Sequence, residues 1–200
     1  SRVVAMPLTA VVFDLDGTLV DTLPDLHAAL HTLLAERDLP GPPPAAVRGM
    51  IGDGARKLVE RALAAPAGHV DEATLDAAHA RFLEVYEAAP YAQSRPFDHV
   101  ADVLSPLQAS RAPPGGCTPH LRLAGLAPSF AAVVGGDAVP RRKPHRDHVL
   151  AVLERLGAAP AGAVMVGDSR NDLLAARDAG LLCVLVDFGY SAEPVTALAA

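Results

Sequence analysis

Ala10-Val11-Val12-Phe13-Asp14-Leu15-Asp16-Gly17-Thr18-Leu19-Val20-Asp21 is the stretch that decides how the rest of the chain is read. Its short apolar run at 11–13, closed by a glycine turn, is the pattern of a strand buried on both faces of a parallel sheet. Asp14 then stands at the strand's end. Side chains alternate along extended backbone, so Asp14 and Asp16 project to one side while Leu15 turns into the core. In open α/β sheets, the space beyond the carboxyl ends of the strands is where ligands bind. Two carboxylates facing one small volume repel each other unless a proton or a cation joins them. Read from these residues alone, the pair can serve acid-base or nucleophilic chemistry, or it can cap the turn that follows.

The longer segment, Phe-Asp-Leu-Asp-Gly-Thr-Leu-Val-Asp-Thr at 13–22, resembles the first motif of the haloacid dehalogenase superfamily residue for residue. It looks like that superfamily's phosphatases. The resemblance implies that Asp14 attacks a phosphoryl group to form an aspartyl-phosphate and that Asp16 acts as general acid and then base. A carboxylate nucleophile would split one hard hydrolysis into two easier steps. An anionic Asp cannot approach a phosphate dianion without a counter-charge, and a hard cation on oxygen ligands, most simply Mg²⁺, supplies it.

The same logic recurs in Ala163-Val164-Met165-Val166-Gly167-Asp168-Ser169-Arg170-Asn171-Asp172, a buried strand ending in Gly-Asp. A second Asp follows four residues later, in the first turn of a helix predicted over 173–180. From the residues alone Asp168 is either half of an acid pair or a helix cap. Gly-Asp-Ser-x-x-Asp resembles the superfamily's fourth motif, which implies that Asp168 ligates Mg²⁺ together with Asp14 and Asp16. Asp172 would then ligate the metal or orient it through water. Lys143-Pro144, ahead of a helix predicted over 147–156, resembles the third motif. Lys143 would therefore balance the charge of Asp14 and the phosphoryl oxygens, although by itself the basic run 141–143 also reads as a solvated turn. His145 and His148 have no acidic partner at metal-site spacing and read as surface or capping residues.

Between these motifs lies a run of helices without a strand. Thr22-Leu23-Pro24 is a helix start, followed by Leu26, Leu30, Leu33 and Leu34 on one face. The proline-rich stretch 40–44 breaks that helix. Further helices are predicted over about 55–64 and from Asp71, a capping residue. Residues 20–92 thus read as an inserted helical unit, with 1–19 and 93–200 forming an α/β core; the resemblance implies a cap over the active site. Inside the unit, Gly52-Asp53-Gly54-Ala55-Arg56-Lys57-Leu58 is either an ordinary interhelix turn or a loop allowing close backbone approach. It is similar to the specificity loop of phosphoglycolate phosphatases, which implies that Gly52, Gly54 and Arg56 contact substrate, Arg56 holding a carboxylate.

One segment departs from the family pattern. A helix predicted over 100–107, bent at Pro106, should lead to a second buried strand ending in a Thr or Ser that bonds the phosphate. Arg111-Ala112-Pro113-Pro114-Gly115-Gly116-Cys117-Thr118 is poor central-strand material. Thr118 is the best match to the missing hydroxyl. Either this strand is altered or the chain carries a coding or sequencing slip here. Beyond it, 130–137 reads as a short strand and turn, 181–187 as another buried strand, and the last residues as a frayed tail.

Composition narrows the classes of function. Half of the 200 residues are hydrophobic, enough for a full core, yet no apolar run approaches the roughly 20 residues of a spanning helix. A net charge of −6, without a basic block and with 4% aromatics, argues against nucleic acid or a membrane surface as partner. The N-terminus lacks a signal pattern, and the widely spaced Cys117 and Cys183 suit a reducing compartment, so a cytoplasmic protein is expected. The expectation is therefore a doubly wound parallel α/β core with an inserted helical cap, acting as a Mg²⁺-dependent phosphomonoesterase on a small phosphorylated metabolite. 2-Phosphoglycolate comes first. A sugar phosphate such as N-acetylmuramic acid 6-phosphate, or phosphomutase chemistry, is the alternative. A non-catalytic phosphate-binding protein descended from such an enzyme is the competitor of another class. The sequence leaves the oligomeric state open.

Overall fold

The computed structural model describes residues 7–107, 119–136 and 138–198, and in it the opening apolar run is a strand, β1 (Ala10–Phe13). Strands β4 (Ala163–Gly167) and β5 (Leu182–Leu185) join it in a parallel sheet of order β1-β4-β5. The register sets Val12 beside Met165 and Phe13 beside Val166, and the Asp14 amide donates to Val166 O at 2.9 Å. Asp14 and Asp168 therefore emerge side by side at the same edge. Ala10, Val12, Ala163 and Met165 bury their side chains against Val149 and Leu153 of α7 (Asp147–Leu156) and Ala175 and Ala176 of α8 (Arg170–Ala179). Small alanines let α8 lie close to the sheet.

The middle of the chain builds its own core. Helices α1 (Leu23–Ala35), α2 (Pro44–Arg48), α3 (Ala55–Ala67) and α4 (Glu72–Ala88) enclose Leu30, Leu33, Leu34, Val47, Val59 and Phe82, all out of solvent. Asp71 caps α4 by accepting from Thr74 N, as its position predicts. Where the chain leaves and re-enters the α/β layer, β2 (Val20–Asp21) pairs antiparallel with β3 (Arg95–Pro96). Buried Asp25 of α1 ties the two crossings together, accepting from Gln93 N at 2.8 Å, Ser94 N at 2.9 Å and Ser94 Oγ at 2.5 Å. Removing that carboxylate leaves buried donors without partners. Asp25→Ala should therefore lower unfolding stability by about 2–4 kcal/mol, read as a shift of the urea midpoint at unchanged slope.

Several expectations are corrected. The run 130–134 forms no strand: Val133 O and Val134 O instead accept from the side chains of Arg155 and His148, so its carbonyls are satisfied outside a ladder. β5 is not buried on both faces, since Leu182 is 78% and Val184 53% exposed. Helix α8 begins at Arg170 rather than 173, because Ser169 and Asp172 close a capping box. Residues 195–198, expected to be part of a frayed tail, form α9 (Val195–Leu198), which buries Leu198. The predicted helix over 100–107 divides into α5 (Val100–Leu104) and a 3₁₀ turn containing Pro106. The segment 108–118, with Thr118 and the atypical prolines and glycines, lies outside the described residues; α6 (Pro119–Leu123) follows it. Among the described residues no helix is long and apolar enough to cross a membrane.

Candidate active site

Asp14, Asp168 and Asp172 converge at the carboxyl ends of β1 and β4, each offering an oxygen within 4.8 Å of the others'. Three independent local features make that convergence. β1 ends just before Asp14, β4 ends just before Asp168, and the capping box fixes Asp172 in the first turn of α8, where its Oδ2 accepts from Ser169 N at 3.0 Å, Ser169 Oγ at 2.6 Å and Asp168 N at 3.2 Å. Lys143, from the loop before α7, closes the cluster. Its Nζ donates to Asp14 Oδ1 at 2.5 Å and to Asp172 Oδ1 at 2.6 Å. Asp16 lies at the exposed rim of the same cavity.

The electrostatics follow from crowding. Desolvation, opposed by Lys143 and reinforced by Asp172 and Asp16, pushes Asp14 from 3.8 up to about 7. Desolvation raises Asp168 as well, against the pull of the Tyr190 amide. Burial works against the Lys143 ammonium, but the charges of Asp14 and Asp172 outweigh it and hold the proton firmly. A cluster with three carboxylates and one ammonium is short of positive charge. Its all-oxygen donor set fits a hard divalent cation such as Mg²⁺ and suits a soft metal poorly.

Tyr190 and Thr18 also serve the site, and neither is evident from spacing. The Tyr190 amide donates to Asp168 Oδ2 at 2.5 Å, while its hydroxyl donates to Asp21 Oδ1 at 2.6 Å and accepts from Leu23 N at 2.9 Å. One residue thus links an acid of the cluster to the crossing into the helical unit. The only local signal was a glycine before it, and Gly189 is needed because a Cβ there would collide with the Asp168 side chain. Gly17 is required twice over: its φ is +84°, and a Cβ would meet Asp168 Oδ2 at 2.5 Å. Thr18 Oγ1 lies 3.4 Å from Asp168 Oδ1.

The helical unit covers this edge. Gly52, Asp53 and Gly54 line a cavity of about 1160 Å³ shared with Asp14, Asp16, Asp168 and Lys143. Asn171 Nδ2, beside Asp172, donates to Asp53 Oδ1 at 2.6 Å and to Gly52 O at 3.1 Å. Arg48 reaches from α2 to the carbonyls of Phe188, at 2.9 Å, and Gly189. Arg56 is not brought to the cavity with its neighbours. It bonds Glu72 at 2.5 Å and Asp76 at 2.7 Å on the outer face of the helices. Arg142, which sequence reasoning passed over, lines the cavity instead.

Comparison with known proteins gives a consistent result. A family model described as haloacid dehalogenase-like hydrolase matches residues 8–180. A phosphoglycolate phosphatase of Caulobacter vibrioides is 45% identical over 198 residues, covering 95% of this chain and 84% of the relative. One from Rhodospirillum rubrum is 41% identical over 203 residues, covering 96% and 84%. The crystal structure of a predicted phosphoglycolate phosphatase from Haemophilus somnus 129PT superposes with a TM-score of 0.85 at 28% identity, over 97% of this chain and 92% of that one.

Proposed function

The chain belongs to the haloacid dehalogenase-like hydrolases, and from that premise we propose that it is a Mg²⁺-dependent phosphomonoesterase whose substrate is 2-phosphoglycolate. The observation that carries the chemistry is Asp14 at the tip of β1, 2.5 Å from Lys143 and within the three-carboxylate cluster. The names of the relatives support the substrate. Residues 20–92 act as the cap, with Gly52 and Gly54 facing the bound metabolite, and the setting is cytoplasmic, which the free thiol of Cys183 suits.

In this mechanism an Asp14 carboxylate oxygen attacks phosphorus, the ester P–O bond breaks, and Asp16 protonates the departing alkoxide. Asp16, now anionic, takes a proton from water as that water attacks the aspartyl-phosphate. The P–O bond to Asp14 breaks and inorganic phosphate leaves. Lys143 balances charge on Asp14 and the phosphoryl oxygens throughout. Asp14, Asp168 and Asp172, with Asp16 at the rim, would hold Mg²⁺, which would supply the counter-charge that lets one anion approach another.

The test is phosphate release by purified protein with Mg²⁺ and with EDTA, across 2-phosphoglycolate, N-acetylmuramic acid 6-phosphate, other sugar phosphates and an aryl phosphate. Metal-dependent turnover favouring 2-phosphoglycolate is expected; a preference for a sugar phosphate would reassign the substrate. Absence of turnover by folded protein would favour a binding role. Metal binding must also displace the proton that desolvation favours on Asp14 below about pH 7. Mg²⁺ affinity should therefore drop about tenfold per pH unit below that point and level off above it. Isothermal titration across the neutral range checks this, and a flat profile would contradict it.

A further inference from the structure

We infer that Arg142 is the residue that recognises a second anionic group, a carboxylate, on the phosphorylated substrate, an inference that rests on the phosphatase reading above. A small metabolite with a phosphoryl group and a carboxylate needs two separate cationic contacts. Among the described residues, the Lys and Arg side chains lining the cavity are Lys143 and Arg142. Lys143 is committed, its ammonium held between Asp14 and Asp172. Arg142 is not: its Nε donates to Gly136 O at 2.8 Å, and no carboxylate among the described residues pairs with the guanidinium.

That one bond orients the guanidinium toward the cap. Its Nη1 lies 2.9 Å from where a Cβ on Gly54 would stand, so the absence of a side chain at 54 leaves room for it. Arg142 thus meets the cap loop across the cavity, one residue from the lysine that contacts the nucleophile. A planar fork whose terminal N–H groups have no partner among the described residues matches a carboxylate in a way a lysine would not. Arg56, the arginine that sequence reasoning favoured, is neutralised by Glu72 and Asp76 outside the cavity.

The experiment compares 2-phosphoglycolate with ethyl phosphate, which carries a methyl group where the carboxylate was, in the wild type, Arg142→Met, Arg142→Lys, Gly54→Ala and Arg56→Met. Melting temperatures establish that each variant is folded. In Arg142→Met, kcat/KM for 2-phosphoglycolate should fall about 10- to 100-fold, the scale of one charge-assisted contact, mostly through KM. Ethyl phosphate should be hydrolysed as by the wild type. Arg142→Lys should recover part of the loss, and Gly54→Ala, which displaces the guanidinium, should reproduce it. Equal losses on both substrates, no loss on either, or a selective loss in Arg56→Met instead would each overturn the assignment. If the wild type itself shows no preference for the carboxylated substrate, the 2-phosphoglycolate reading fails and this one falls with it. If the preference exists but survives Arg142→Met, only the role of Arg142 fails.

Discussion

Asp14→Asn is expected to lower phosphate release by about 10⁴-fold or more, the scale seen when a nucleophile is removed from a working site, while the protein melts within a few degrees of the wild type. The substitution changes few atoms in shape. An amide keeps a hydrogen-bonding oxygen near Lys143 but has no carboxylate with which to form an acyl phosphate. Folding should tolerate the change because Asp14 sits in a site that disfavours its charge, and Lys143 retains Asp172 at 2.6 Å. Two measurements decide the matter: steady-state phosphate release, and thermal unfolding followed by circular dichroism. Substantial activity in the folded variant would sink the nucleophile assignment. A variant that fails to fold would instead mean that Asp14 is mainly structural.

Lys143→Met should be damaged in both respects. Its ammonium is the described cation that bridges Asp14 and Asp172, and the Asp172 side chain is completely out of solvent. Taking away one partner of a buried ion pair costs about 3–5 kcal/mol, because the remaining charge is left uncompensated. The apo variant should lose stability on that scale near neutral pH, and its activity should fall steeply. The pH dependence has a definite sign. Without Lys143 the Asp14 carboxyl rises further, so the unfolded chain releases that proton more readily than the folded one. The variant's deficit should shrink as acid neutralises the carboxylates and grow toward alkaline pH. Mg²⁺ offers replacement charge, so it should raise the variant's melting temperature more than the wild type's. Equal metal-induced shifts in the two proteins would argue that Lys143 and the metal serve different charges.

The local chemistry of the chain was legible because short-range rules dictate it. The apolar runs before Asp14 and Asp168 become parallel strands, and the face formed by Leu26, Leu30, Leu33 and Leu34 is buried. Ser169 and Asp172 sit three apart, the spacing of a capping box, so the second acid is held by its own helix. The segment 130–134 misled because an apolar run states only that residues can be buried. Whether they form a strand depends on a neighbouring ladder, and here side chains of Arg155 and His148 take two of the carbonyls.

Which distant groups meet was decided by tertiary structure. Lys143 reaches an acid 129 positions earlier, Tyr190 joins Asp168 to the crossing at Asp21, and Asn171 bonds Asp53 of the helical unit. The two arginines make the point most plainly. The resemblance to phosphoglycolate phosphatases implied Arg56 for a carboxylate, but the folding of α4 against α3 supplies it with Glu72 and Asp76, while the loop before α7 brings Arg142 to the cavity without an acidic partner among the described residues. By itself the sequence determined the strands before Asp14 and Asp168, the buried faces of the long helices and the acids at the strand ends, because backbone geometry, burial periodicity and capping act over a few residues. Only the tertiary structure decided which charges are paired and which stay available, because ion pairing depends on distances of a few ångströms between side chains that the chain alone does not bring together.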